Sequence, residues 1–329
     1  MINRFVSLLA RVGLNFFFLA LLSMILLAWL FPRFGLRSSP VPVHLIAEYG
    51  VSVIFFFYGL RLSPEKLKAG LSNWKLHLII QSSTFILFPL LLLLANALFN
   101  HGENSLLWLG AFYLAALPST VSSSVVLVSI AGGNLPAAIF NASISSIIGI
   151  FITPVWMSIF IQKTTADFDL TRVILKLMLE ILLPVVLGIL LHRKFGAWAE
   201  KYKTGLRNLD QFIILMIVYT AFCESFAGKM FDTHPGSELF LLGFLMLTFF
   251  AFMFGLMYLL ARFAGFSRPD RITLLFCGSK KSLVQGAVMG RVLFPDPVIL
   301  GVILLPLMMY HALQLLAGST IAQAMSKKS

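Results

Sequence analysis

The chemically sharpest stretch of this 329-residue chain is Gly278-Ser279-Lys280-Lys281-Ser282, set between the apolar runs ITLLFC and LVQGAVMG. Two lysines inside an apolar span cost ~2.5 to 3.5 kcal/mol each on the insertion scale, so they need a reason to be there. Moving the membrane boundary to place them in a loop leaves Ile272 to Lys280 too short to cross alone. Consecutive residues on a helix point ~100° apart. At most one lysine therefore aims straight at a common site, and the other pairs elsewhere. A second polar cluster is LPSTVSSS from Leu117, where Pro118 removes a backbone donor and Ser119, Thr120, Ser122, Ser123 and Ser124 supply five hydroxyls. Single hydroxyls often only bond back to their own helix. Five beside a proline point instead to a helix break lining a cavity. The third is a stripe of Ala138, Asn141, Ser145 and Gly149 at spacings of three and four. Close helix packing explains its small members but leaves the amide of Asn141 for contact with a solute. Gly132-Gly133-Asn134 reads as a tight connection.

Acidic partners for the lysines are sparse. Glu48, Glu180 and Glu224 each fall in an apolar segment and are candidate counter-ions. Gln81, His77 and His311 are further polar residues within spans, His77 reading as an interfacial anchor because it follows Trp74 and Lys75. A nucleophile and base built from Ser279 or Ser282 with Lys280 or Lys281 is the enzymatic rival. No third orienting group is evident, and neither an acidic DxxD cluster nor HExxH occurs. We therefore expect no enzyme, no cofactor and no metal site.

The elements that hold these residues follow from composition. Hydrophobic residues make up 59% of the chain and charged residues 12%, against roughly 25% charged in a soluble domain. Apolar runs near residues 14–31, 43–60, 75–98, 107–131, 135–161, 173–192, 208–227, 239–263, 272–294 and 297–321 each approach the ~20 residues that cross ~30 Å of hydrocarbon. The first run is too long for a signal-peptide core and lacks a cleavage site. The net charge of +12 is scattered over short connections, which argues for topology and against a nucleic-acid surface. With a cytoplasmic N-terminus, inner connections and tails hold 16 Lys and Arg and outer ones 7, so both termini are expected in the cytoplasm. Cys223 and Cys277 both lie in apolar segments, which offers no disulfide framework.

Ten spans split near residue 164 into two halves of five, and an odd number forces a repeat to be inverted. Both halves interrupt their fourth member, at LPSTVSSS and at FCGSKKS. The expected fold is thus an all-α polytopic membrane protein of ten transmembrane helices in two inverted five-helix repeats, 1–163 and 164–329, with helices 4 and 9 broken.

Four segments resemble the bile acid:sodium symporter superfamily, in its divergent subgroup formed by the seventh vertebrate member and bacterial relatives. They are NWKLHLIIQSS from Asn73, LPSTVSSSVVL from Leu117, GGNLPAAIFNASISSIIGIFITP from Gly132 and FCGSKKSLVQGAVM from Phe276. The resemblance implies broken helices 4 and 9 that cross near the midplane. It also implies a core domain of helices 3–5 and 8–10, about residues 73–161 and 239–321, and a panel domain of helices 1, 2, 6 and 7. The sodium ligands carry over only in part. The Ser-Asn pair after the break in helix 4 is matched by Ser123 and Ser124, whereas the two helix 5 hydroxyls fall on Ala138 and Ala142, with Asn141 nearest. The glutamate of helix 9 falls on Phe276 or Cys277, its glutamine on Lys280, and the glutamine of helix 3 near Thr84, with Gln81 one turn earlier.

Together these readings describe a secondary transporter of a small organic anion working by alternating access. Its expected site draws on Gln81, Thr84, Ser122, Ser123, Ser124, Asn141, Ser145, Ser279, Lys280, Lys281 and Ser282. Lysine at the crossing stands where sodium would, leaving protons as the favoured coupling ion over sodium. The expected location is the bacterial inner (cytoplasmic) membrane, with the lipid bilayer as partner, no nucleic acid, and a homodimer left open. A regulatory membrane protein is the non-transporting alternative.

Overall fold

The computed structural model describes residues 16–61, 73–99, 105–164, 175–176, 178–229 and 236–326, and these residues contain helices and no strands. In chain order the helices are α1 (Phe16–Leu30), α2 (Val43–Arg61), α3 (Trp74–Ser82), α4 (Phe88–Phe99), α5 (Leu106–Ala116) and α6 (Ser122–Ile130). They continue as α7 (Leu135–Thr164), α8 (Leu183–Lys201), α9 (Lys203–Ala227), α10 (Gly236–Phe263), α11 (Arg268–Gly278), α12 (Leu283–Leu293) and α13 (Pro297–Ser326). A π-helical turn, Ser83–Leu87, joins α3 to α4, and another, Met178–Leu182, leads into α8.

Six described helical stretches are long and apolar enough to cross a membrane: Val43–Arg61, Trp74–Leu98, Leu135–Phe160, Lys203–Ala227, Gly236–Phe263 and Pro297–Ser326. Leu19–Leu30 and Leu106–Ala116 are shorter apolar helices. Helix α10 shows what surrounds the molecule, because only 22% of its most apolar stretch is buried against protein, and Phe240 and Phe263 are 80% and 84% exposed. In water such a face would drive aggregation; in hydrocarbon it is the solvated side. The chain is a polytopic integral membrane protein.

Helices α1, α2, α8 and α9 pack on one another, and α3 to α7 pack with α10 to α13; α9 touches the second group through α13 and α12. The closest approach in the first group is between α2 and α8. A Cβ on Gly59 would overlap the Val185 carbonyl, and one on Gly188 would overlap that of Phe56. Backbones meet there because both residues lack a side chain, the usual device where lipid supplies no hydrophobic drive between helices. His192 Nδ1 seals this contact 2.7 Å from the Leu60 carbonyl, and Arg61 joins α2 to Asp210 of α9 at 2.6 Å.

Two expectations need correction. Residues 193–207, read as a loop, are helical up to Lys201 and again from Lys203, because GAWAEKYK carries no breaker after Gly196 and continues the helix beyond the apolar run. His77 is 7% exposed and lies 4.3 Å from the Phe140 ring, so it is an interior residue and not an interfacial anchor.

Candidate functional site

Both sequence-read interruptions are real breaks, and they meet. Helix α5 stops at Leu117, which is extended (φ −73°, ψ 154°), and the chain runs unwound through Pro118 to Thr120 before α6. Helix α11 stops at Gly278, and Ser279 to Ser282 are unwound before α12. The two breaks touch directly: the Ser282 N–H donates to the Pro118 carbonyl at 2.9 Å. Each helix end leaves carbonyls without an intrahelical partner, and in hydrocarbon an unpaired one costs several kcal/mol.

Hydroxyls close most of that deficit. Ser119 Oγ donates to the Cys277 carbonyl at 2.7 Å, and Ser124 Oγ to that of Phe276 at 3.1 Å. Ser279 Oγ donates to the Leu275 carbonyl at 2.6 Å, and the Ser279 carbonyl in turn accepts from Tyr310 OH at 2.7 Å. On the α5 side, Thr153 Oγ1 donates to the Ala116 carbonyl at 2.8 Å. Ser145 accepts from the Ser119 N–H at 3.0 Å, and Ser282 accepts from the Gln285 N–H at 3.2 Å as the cap of α12.

The two lysines have different fates. Lys281 Nζ donates to three carbonyls: Thr84 at 2.7 Å, Ala115 at 2.7 Å and Leu117 at 2.8 Å. Those are three bonds for three N–H donors. The ammonium also sits at the negative end of the α5 dipole and 4.1 Å from the centre of the Phe88 ring. The Thr84 carbonyl lies in the π-turn Ser83–Leu87, and the neighbouring Phe85 carbonyl accepts from the Trp156 indole at 2.8 Å. Gln314 clamps the Lys281 peptide, accepting its N–H at 2.9 Å and donating to its carbonyl at 2.8 Å. Lys280 is equally buried, at 0% exposure, but its Nζ has no hydrogen-bond partner among the described residues. It lies 5.9 Å from the Phe276 ring, and a Cβ on Gly318 would meet it at 3.4 Å. The helical ~100° argument does not apply to the pair, since both residues are in the unwound segment.

Of the other expected residues, Ser122 is the first residue of α6, and Ser123 Oγ donates to Thr120 Oγ1 at 3.3 Å. Thr84 Oγ1 bonds back to the Ile80 carbonyl at 2.9 Å. Asn141 is fully engaged: its Nδ2 is 2.9 Å from the Ala137 carbonyl and 2.8 Å from His77 Nδ1, and its Oδ1 accepts from Gln81 Nε2 at 3.1 Å. Gln81 keeps one buried oxygen, Oε1, without a partner. The structure thus gathers Thr84, Ser124, Ser145 and the 279–282 segment at the crossing, and sets Gln81, Asn141 and His77 together between α3 and α7. Tyr310 and Gln314 were not among the expected residues. The signal for Gln314 was its spacing of three from His311 on an otherwise apolar helix, which brings its Nε2 within 2.8 Å of His311 Nδ1.

The counter-ion expectation fails. No described carboxylate pairs with either lysine. Glu180 faces Lys176 at 3.7 Å and Glu224 accepts from the Arg37 N–H at 2.8 Å, while Glu48 lines the same small cavity as Arg37 and Glu180. These acids lie near span ends, whereas the lysines lie mid-span and are served by carbonyls. The Ser-Lys pairing of an enzyme is also not formed, because Ser279 and Ser282 bond to backbone and Lys281 to carbonyls.

With this geometry in hand, the chain compares with known proteins over almost its full length. Residues 15–327 match the SBF-like CPA transporter family. An uncharacterized protein of Pseudomonas aeruginosa is 37% identical over 312 residues, covering 95% of this chain and 93% of the relative. A candidate symporter of Escherichia coli is 36% identical over 314 residues (95% and 93%), and sodium/bile acid cotransporter 7 of Danio rerio is 32% identical over 324 residues (96% and 94%). A full-length family match, relatives above 30% identity across both chains and a helical bundle with lipid-facing sides lead to one assignment: this chain belongs to the SBF-like CPA transporter family, of the bile acid:sodium symporter type, and is a membrane transporter and not an enzyme.

Proposed function

We propose that this protein is a secondary active transporter of a small organic anion, that it works by alternating access, and that Lys281 takes the place of a bound sodium ion. The observation that carries the reading is the Lys281 ammonium, held by three backbone carbonyls at the crossing of two broken helices. Backbone carbonyls at half-helix C-terminal ends are the ligands a transporter offers to sodium. A tethered ammonium in that position needs no ion from solution. A sodium ion ~4 Å from it would be repelled by about 4 kcal/mol at an effective dielectric of 20, roughly three decades in affinity.

Anion preference rests on the missing counter-ion: two lysines with no carboxylate beside them among the described residues leave positive charge available when protonated. Lys280, buried and unpartnered, is the group suited to release and recapture a proton during the cycle. The titratable groups near it are Cys277 on α11 and His311 on α13. In the moving parts of this reading, α3–α7 with α10–α13 form the core and α1, α2, α8 and α9 the panel, as ten spans in two inverted repeats in a cytoplasmic membrane.

The sodium-coupled alternative draws on the names of the vertebrate relatives, which are sodium/bile acid cotransporters. Transport into proteoliposomes with sodium replaced by potassium or choline, repeated across pH for the native chain, Lys280→Met and Lys281→Met, decides between them. We expect transport without sodium and a pH dependence that disappears in Lys280→Met. A saturable sodium requirement in the native chain would refute the replacement.

A further inference from the structure

Away from the crossing, charged residues gather at the end of the bundle opposite the α13 C-terminus. Arg37, Glu48, Lys176, Glu180, Arg291 and Pro295 line a cavity of about 30 Å³, room for about two water molecules. Most of its members are tied down. Lys176 faces Glu180 at 3.7 Å, the Arg37 N–H donates to Glu224 at 2.8 Å, and Arg37 Nη2 donates to the Pro295 carbonyl at 3.0 Å.

Arg291 is not. It lies in the last turn of α12, is only 7% exposed, and forms no hydrogen bond or ion pair among the described residues. Its side chain lines the cavity together with Arg37, Glu48, Lys176 and Glu180. The arrangement is asymmetric. Helix α12 brings one cation, and the facing segments line the cavity with the carboxylates of Glu48 and Glu180 beside Arg37 and Lys176; Lys176 is taken up by Glu180 and the Arg37 side chain by the Pro295 carbonyl, which leaves Glu48 without an ion pair among the described residues. A buried charge without a direct partner is costly. Small movements of α12 therefore change this interaction strongly.

We propose that Arg291 and the facing carboxylates of Glu48 and Glu180 form a charge latch holding α12 against α2 and the segment ahead of α8, released and remade in each cycle. The latch rests on the reading that the two helix groups move relative to each other. Its closed form draws Arg291 onto a carboxylate and expels the intervening water; its open form hydrates both and clears a passage on that side of the molecule. The Arg37 contact to Pro295 lies at the rim of the same cavity and follows α12 as it moves.

Two readouts test it. The first needs no transport: melting of Glu48→Gln, Arg291→Gln, the double variant and the swap Glu48→Arg with Arg291→Glu, each at low and at high salt. The native chain should lose about 3 °C or more on going to high salt, the single neutralisations should lose most of that dependence, and the swap should regain it. The second is a Glu48→Cys, Arg291→Cys pair bridged by a bis-methanethiosulfonate, each thiolate displacing a methanesulfinate to form a reducible mixed disulfide, the native cysteines being buried. Bridging should stop transport and reduction should restore it. Equal salt dependence in all variants, or native rates in the bridged protein, overturns the latch. Coupling in the melting data without transport by the native chain in any condition overturns the transport reading instead, and with it the cycling of the latch.

Discussion

Lys281 and Lys280 are neighbours in sequence with opposite expected responses to the same substitution. Lys281 satisfies three carbonyls, so Lys281→Ala strands buried acceptors at about 1 to 3 kcal/mol each and should lower the melting temperature strongly. The emptied position keeps its oxygens, so added sodium should raise the melting temperature of Lys281→Ala while leaving the native chain unmoved. Thermal shift in sodium against choline reads both. Lys280 has no hydrogen-bond partner, so Lys280→Met removes a desolvation cost and should melt at or above the native temperature. Asn141 sits between these cases: Asn141→Leu breaks its bonds to His77, Ala137 and Gln81, and we expect transport to be abolished with near-normal expression. The same is expected of Ser123→Leu, and persistence of uptake with both changed would place the site elsewhere.

At the scale of elements, the crossing works because each interruption supplies what the other lacks. The serines after Pro118 pair with the C-terminal carbonyls of α11, and Lys281 from the other break pairs with those of α5 and with the π-turn between α3 and α4. Ser119→Ala should therefore destabilise by about 1 to 3 kcal/mol by orphaning the Cys277 carbonyl, a loss readable in thermal unfolding in detergent. Ser129→Ala, on the exposed face of α6, should change little. The contact of α2 with α8 has no slack. Gly188→Ala pushes a methyl group into the Phe56 carbonyl and should cost about 1 to 3 kcal/mol, visible as reduced folded yield.

For the whole molecule, the distribution of Lys and Arg predicts which side each connection faces. Single cysteines at Lys201 and Arg268 should resist a membrane-impermeant maleimide applied from outside to intact cells. Lys66 belongs with them, whereas His101 and Thr233 should react; these three positions lie outside the described residues. Labelling of the first group from outside would sink the orientation. The carbonyl-held ammonium of Lys281 and the lipid-facing flank of α10 fit one picture, in which polar groups turn inward to one another and apolar ones face hydrocarbon.

Much of this was legible in the residues alone. Segment length and charge scarcity dictate a polytopic bundle, because a backbone in hydrocarbon must close its own hydrogen bonds and only helices of ~20 residues do so across the bilayer. Pro118 with its serines and Gly278 with its lysines marked both breaks, since neither run can continue an apolar helix at reasonable cost. Partner identity was not legible. Placement inside apolar segments suggested Glu48, Glu180 and Glu224 as counter-ions for the lysines, but depth along the bundle separates them. Periodicity also could not distinguish Lys280 from Lys281, because the chain leaves the helix there and the 100° rule lapses. Only the tertiary fold brings the Thr84, Ala115 and Leu117 carbonyls within 2.8 Å of one ammonium. Those atoms come from segments up to 197 positions away along the chain, and a backbone oxygen looks the same in every residue.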